Sequence, residues 1–406
     1  MENKIEKYIS EHWDECIKEN REDDGTLIGL PYPYTVPAVG HFNELYYWDT
    51  YFTNVGLLTS GKALLAKCNT DNMLYLVNKY GYMPNGNRTF FLKNSQPPFL
   101  SQMVRDVYEF YNDIIWLKGA YETLKKEYDF WMAKRLSPVG LNYYSGTLAD
   151  DEMVKIFADM YRKRTHSDDG RNELDMARQA ITCCESGWDM NPRWNGEGYN
   201  YAPVDLNSLM YLFESNMAHF AKTLENGEEK IWTERADKRK ALMYKYMCDE
   251  NGIMLDYNFV TGKLSNVFSA ASLYPLYAGL ADNDYAELMD RVLCRLETEY
   301  GIVTCEKSDN KINFQWDYPN GWACLQHIAI SGFARYGFTE TAKRLAEKYV
   351  TLAEKVFDET GKLWEKYNIV EGNININQED PGKMPAMMGW SAGVYLFADK
   401  FAKMPH

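Results

Sequence analysis

The chain has 406 residues, 46% hydrophobic and 25% charged, enough apolar material for a sizeable core and too much for a disordered or low-complexity chain. A formal net charge of −14 argues against nucleic acid and anionic membrane surfaces, which call for clustered Lys and Arg. A small neutral substrate fits better, and the 15% of aromatic residues supplies flat rings of the kind sugar sites use as platforms.

Eight scattered cysteines form no CxxC pair, and six histidines show no HExxH spacing. Reduced thiols in a cytoplasmic protein, with no metal and no cofactor, are therefore expected. Residues 1–20 alternate charged and apolar positions at helical spacing without a long apolar run, which predicts an opening helix rather than a signal peptide or membrane anchor. Glycines and prolines in DDGTLIGLPYPYTVPAVGHF break regular structure, and NELYYWDTYFTNVGLL then continues as a helix toward Ala66. A helix over 69–80 is followed by the loop GYMPNGNRTFFLKNSQPPF, and two helices fill 101–134. After the loop SPVGLNYYSGTLADD, residues 151–184 are helical with a charged interruption, KRTHSDDGRNE, and end at ESGWD.

PVDLNSLMYLFESNMAHFAKTL and EKIWTERADKRKALMYKYMC read as two further helices, followed by the hairpin-like GIMLDYNFVTGKLS. Two helices over 268–299, the loop closing on FQWDYPNGW, helices over 321–336 and 338–357, an irregular stretch to Gly389 and a last helix complete the chain. About a dozen helices with strands only in short hairpins make the class all-α. Paired helices with long aromatic loops at alternate joints point to a ring of helical hairpins, a single domain over 1–406, with its site at one end.

Tryptophan, carboxylate and asparagine concentrate in ELYYWDTY, MPNGNR, ESGWD, QWDYPNGW and LWEKYN. Asp189, set between Trp188 and Trp194, is the first candidate for a general acid, because apolar neighbours keep a carboxyl protonated. An isolated Asp beside a Trp is more often a cap or turn residue. Recurrence of the pattern in loops along the whole chain argues for one converging site. Asp49 and Asp317, each following a Trp, suit paired sugar hydroxyls. Asp205, ahead of a helical run, reads as a cap.

ELYYWDTYF and QWDYPNGW resemble the two signature motifs of the trehalases, glycoside hydrolase family 37, which points to that family or to a close relative in the same clan, such as family 63. MPNGNR, SQPP, ESGWD, PVDLN and EKYN follow in the family's order. The resemblance implies an (α/α)6 barrel, inverting hydrolysis without a metal or organic cofactor, Asp189 as general acid and Glu365 as general base. It also implies a sugar-binding set of Trp48, Asp49, Asn85, Gln96, Gln315, Trp316 and Asp317, to which Glu185 and Trp188 of ESGWD are added. Inversion needs the two carboxyls about 6.5–9.5 Å apart, with a water between base and sugar. The residues alone do not choose Glu365 over Glu44, Glu185 or Asp317.

Four departures concern the leaving-group side. His41 and Asn43 stand where the family carries arginines, Asn94 replaces an arginine before SQPP, and LADDEMVKIFADMYRKR lacks the arginine-rich RPRPES segment. The glycine-run lid after EKYN is replaced over 369–388. The expected activity is inverting hydrolysis of a small α-glucoside, with trehalose leading. The alternatives are another α-glycoside, such as glucosylglycerate, mannosylglycerate or a gluco-oligosaccharide, and a non-catalytic sugar-binding barrel.

Overall fold

A computed structural model of the protein describes residues 3–165, 170–309, 312, 314–377, 384–386 and 388–404. Its helices, in chain order, are α1 (Lys4–His12), α2 (Tyr47–Thr59), α3 (Ala63–Tyr80), α4 (Leu100–Tyr111), α5 (Ile114–Lys134), α6 (Asp150–Met153), α7 (Asp159–Thr165), α8 (Glu173–Ser186), α9 (Val204–Thr223), α10 (Glu229–Met247), α11 (Tyr274–Ala278), α12 (Asn283–Val292), α13 (Ala323–Arg335), α14 (Thr339–Thr360) and α15 (Gly389–Ala402). Local chemistry sets several of these boundaries. Asn112 takes the left-handed conformation (φ 57°) and ends α4, and the Asp113 carboxylate accepts the Ile115 and Trp116 amides to start α5.

Six of these helices form a closed inner ring, in which α2 packs on α4, α4 on α9, α9 on α11, α11 on α13, α13 on α15, and α15 returns to α2. Outer helices alternate with them: α3 bridges α2 and α4, α5 lies against α4 and α9, α10 against α9, and α14 against α13 and α15. Helix α1 joins the outer layer, with Lys4 paired to Asp358 and the Tyr8 ring edge-on to Phe357. This is the (α/α)6 barrel. The ring closes where α2 crosses α15 at Gly56 and Gly393, so tightly that a Cβ on Gly56 would strike the Gly393 backbone.

Two expectations of helix extent need correction. The opening helix stops at His12 and gives way to a 3-10 turn, because Ile17–Lys18 is drawn into an antiparallel pair with Tyr34–Thr35, a partner helical periodicity cannot reveal. The helix through Leu58 does not run to Ala66, since Gly61 at φ +78° turns the chain between α2 and α3. Of the charged interruption before ESGWD, residues 166–169 lie outside the described residues.

The loops that lead into α2, α4, α13 and α15 gather at one end. ELYYWD enters α2, SQPP enters α4, PVDLN enters α9, QWDYPNGW enters α13, and the chain after EKYN enters α15. Helices α6, α7 and α8, with a π-helical turn at Val154–Ala158 between α6 and α7, form an insertion between α5 and α9 that reaches the same end.

Candidate active site

A cavity of about 710 Å³ opens at this end. Its floor carries Trp48, Trp316, Trp322 and Trp390. Trp316 and Trp322 are stacked in parallel at 3.8 Å, Trp188 stacks behind Trp316 at 5.3 Å, and Trp390 stands edge-on to Trp48 and Trp322. Such stacked and edge-on pairs hold one another's orientation and make a stiff platform. An antiparallel pair, Asn320–Trp322 with Lys366–Asn368, ties the QWDYPNGW loop to EKYN and places Lys366 opposite Trp322. The Lys366 ammonium lies 4.7 Å from the Trp322 ring and donates to Gln315 Oε1 (3.0 Å) and Glu365 Oε2 (2.8 Å), so these sequence neighbours do meet. Asn320 organises this loop, its side-chain amide donating to the carbonyls of Gln315 and Asn377 while its Oδ1 accepts the Asn377 amide.

Asp189, Glu365 and Asp49 all line the cavity. Burial pushes the Asp49 carboxyl up to about 7; its own backbone N–H opposes the rise, and the nearby Glu365 and Asp189 charges add to it. Asp189 Oδ2 accepts from Arg164 Nη1 at 2.8 Å. The turn carrying Asp189 depends on Gly187, which ends α8 at φ +73° and where a Cβ would collide with the Trp48 indole. Beyond it, the fully buried Arg193 donates to Asp205 (2.6 Å) and Asp256 (2.9 Å), with its guanidinium over the rings of Trp188 and Trp194. A guanidinium between two carboxylates holds the Asp189 turn against α9 and the hairpin loop. Asp205 is structural as expected, but as an ion-pair partner rather than a cap.

Of the sequence-predicted residues, Trp48, Asp49, Asn85, Gln96, Asp189, Gln315, Trp316 and Glu365 meet in this cavity. Gln96 accepts the Trp48 amide through Oε1 (3.2 Å), and the Asn85 side chain donates to the Cys184 carbonyl (3.4 Å). Three others are corrected. Glu185 is fully buried away from the cavity, its carboxylate accepting from the Ser95 and Ser145 amides and bidentately from Arg135, so it joins loops instead of holding sugar. Trp188 backs Trp316 and does not line the cavity. Asp317 also lies off the cavity lining, accepting the Tyr318 amide at 2.7 Å, with burial pushing its carboxyl up to about 6 against that hydrogen bond. Glu44, the remaining alternative for the base, is paired with Arg88 at 2.6 Å, so among those four carboxylates only Glu365 lines the cavity.

Sequence reasoning missed Arg164, Arg193 and the apolar wall formed by Ile156, Phe157 and Met160. A basic run and an amphipathic helix look like ordinary surface and core, and nothing local links Arg164 to Asp189. Among the departing positions, His41 and Asn43 are exposed, and Asn94 lines the cavity with its amide turned back onto the Ser95 carbonyl. Within the replaced lid, residues 378–383 and 387 lie outside the described residues.

The closed ring of paired helices and the carboxylates at its open end define an (α/α)6-barrel glycoside hydrolase. A sequence model of the family Trehalase matches residues 2–401, and the chain belongs to that family. It is 34% identical to a periplasmic trehalase of Xanthomonas campestris over 90% of this chain and 68% of the relative, and 33% identical to a periplasmic trehalase of Xanthomonas axonopodis over 97% and 72%. Among solved structures, a neutral trehalase from Saccharomyces cerevisiae superposes with a TM-score of 0.77 at 29% identity, covering 91% of this chain and 73% of that one. A mannosylglycerate hydrolase from Thermus thermophilus shares the fold at a TM-score of 0.68 and 16% identity, over 97% and 99% of the two chains. The expected cytoplasmic location is overturned by the Xanthomonas relatives, which are named as periplasmic enzymes. Cysteine usage and the opening residues were insufficient grounds for a compartment. Among the described residues, no helix is long and apolar enough to cross a membrane.

Proposed function

We propose that the protein hydrolyses trehalose with inversion, Asp189 acting as general acid and Glu365 as general base. The observation that carries this reading is that both carboxylates, contributed by loops 176 residues apart in sequence, line one tryptophan-floored cavity. In this mechanism the glucose to be cleaved lies on the Trp48 and Trp316 platform, with Asp49, Asn85, Gln96 and Gln315 available to its hydroxyls. Asp189 gives its proton to the bridging oxygen as the glycosidic bond breaks. Glu365 takes a proton from the water that attacks the opposite face of the anomeric carbon, and Lys366 fixes the carboxylate orientation through Oε2. An Asp49 carboxyl poised near 7 is divided between donor and acceptor forms at neutral pH, so it suits a sugar hydroxyl in either role.

Family membership and the two Xanthomonas relatives favour trehalose as the substrate. The whole chain is read as one catalytic domain, supported by the packing of α1 on α14 and of α2 on α15, which joins both ends of the sequence into one ring. Time-resolved proton NMR of trehalose cleavage tests the proposal. Prompt appearance of β-glucose alongside α-glucose is expected, and release of α-glucose alone would refute inversion.

A further inference from the structure

The two carboxyls proposed to do the chemistry are each held by a cation at one oxygen. Glu365 Oε2 accepts from the Lys366 ammonium at 2.8 Å, and Asp189 Oδ2 accepts from Arg164 Nη1 at 2.8 Å. The two cations have unrelated origins. Lys366 lies in the strand pair that fixes the QWDYPNGW loop, whereas Arg164 is the penultimate residue of α7, in the insertion outside the ring. Arg164 lines the cavity together with Asp189, so this contact is made at the site itself. What the cations share is their chemistry: ammonium and guanidinium donate hydrogen bonds and accept none.

For an acid, this one-sidedness decides where the proton sits. In a neutral carboxyl the carbonyl oxygen is the better acceptor, so a donor-only partner on Oδ2 makes Oδ2 the carbonyl oxygen and puts the proton on Oδ1. When that proton leaves, the charge appearing on the carboxylate faces a guanidinium already in place. Resting on Asp189 as the general acid of the proposed hydrolysis, we infer that Arg164 is a positioning residue that makes Oδ1 the proton-donating oxygen. The Oδ1–H bond breaks as the bridging oxygen takes the proton, and the C1–O electron pair leaves with that oxygen. Water attacks C1 and gives its proton to Glu365, while Arg164 keeps its own protons throughout.

The test compares kcat/KM for trehalose, whose leaving glucose needs the proton, with that for α-glucosyl fluoride, whose fluoride departs with little help from an acid. The ratio of the two is internal to each protein, so partial misfolding cancels. Arg164→Met removes the donor, and Arg164→Gln replaces it with an amide whose oxygen accepts a proton on Oδ2, the wrong oxygen. The trehalose-to-fluoride ratio is expected to fall about threefold or more in Arg164→Met and about tenfold in Arg164→Gln. That order separates proton placement from sugar holding, because a residue that merely held the leaving glucose is replaced better by polar glutamine than by methionine. If the fluoride is not cleaved, the order of Met above Gln in trehalose kcat/KM decides in the same way. Glutamine equal to or above methionine, or no change in either variant, overturns the assignment. Asp189→Asn, measured alongside, tells the two readings apart. A ratio that collapses in Asp189→Asn but does not move at Arg164 leaves the acid standing without this partner. A ratio unmoved in Asp189→Asn removes the acid and the inference together.

Discussion

The floor and the insertion wall of the cavity are built on different principles. The floor comes from the N-terminal ends of ring helices and is fixed repeatedly, by the stacked tryptophans, by Lys366 on Glu365 and Gln315, and by the Arg193 ion pairs beneath the acid's turn. The wall of α6, α7 and the π-helical turn lies outside the ring, packs mainly on α8, and reaches Asp189 through the Arg164 ion pair. The carboxylates proposed to do the chemistry thus sit where the barrel over-determines them, whereas the insertion wall sits on an element outside the ring.

The sharpest way to break this contrast is to remove a floor carboxyl. Asp189→Asn and Glu365→Gln are each expected to lower trehalose turnover by about 10³-fold or more with an unchanged circular dichroism spectrum; activity within tenfold of the parent would show that the residue has neither proposed role. Next comes the support under the acid. Arg193→Met leaves Asp205 and Asp256 buried without their cation and should cost about 3–5 kcal/mol in urea unfolding. A loss below about 1 kcal/mol would mean that the turn does not depend on this pair.

The wall predicts the opposite pattern. Arg164 and Asp189 each remain about a third exposed, so Arg164→Gln should change unfolding free energy by less than about 1 kcal/mol. It should nonetheless reduce kcat/KM about tenfold, because the acid loses the partner that holds its Oδ2. Equal damage to stability and rate would erase the distinction between floor and wall.

A further effect concerns pH. Tyr47, at the start of α2, donates to the buried Glu127 on α5 and accepts the Leu100 amide of α4, pinning two floor-bearing helices. Burial pushes Glu127 up to about 8 against the lowering effect of that hydroxyl. The folded protein therefore holds a proton that the unfolded chain has lost above its ordinary value of 4.5, so this contribution to stability is present below that value and fades as pH rises toward 8. Glu127→Gln should flatten the decline, by up to about 1.4 kcal/mol per pH unit, in unfolding measured from pH 5 to 8. An identical pH slope in parent and variant would exclude Glu127 as its source.

Much of the floor was legible because its signals are local: Trp48 with Asp49, and Trp316 in QWDYPNGW, stand out as unusual clusters wherever they occur. Roles that depend on distant partners were not. Glu185 looks like a site residue until Arg135, fifty positions earlier in sequence, is seen to occupy its carboxylate. Trp188 and Asp317 share motifs with cavity residues yet do not line the cavity, since adjacency in a motif does not decide which side chains reach it. The wall was unreadable for another reason. Ile156, Phe157 and Met160 satisfy the same periodicity that a core helix would, and only the ring's geometry shows that their face borders open space.

The crossing of Gly56 and Gly393 also bears on how the chain reaches this state. The two glycines are 337 positions apart, so the seam that closes the ring joins the earliest inner helix to the last. During synthesis, α2 must wait with its closing face uncovered until α15 leaves the ribosome, an interval of about half a minute at ordinary elongation rates. Until then the barrel is an open crescent, and the cavity it will enclose lacks Trp390 and a closed floor.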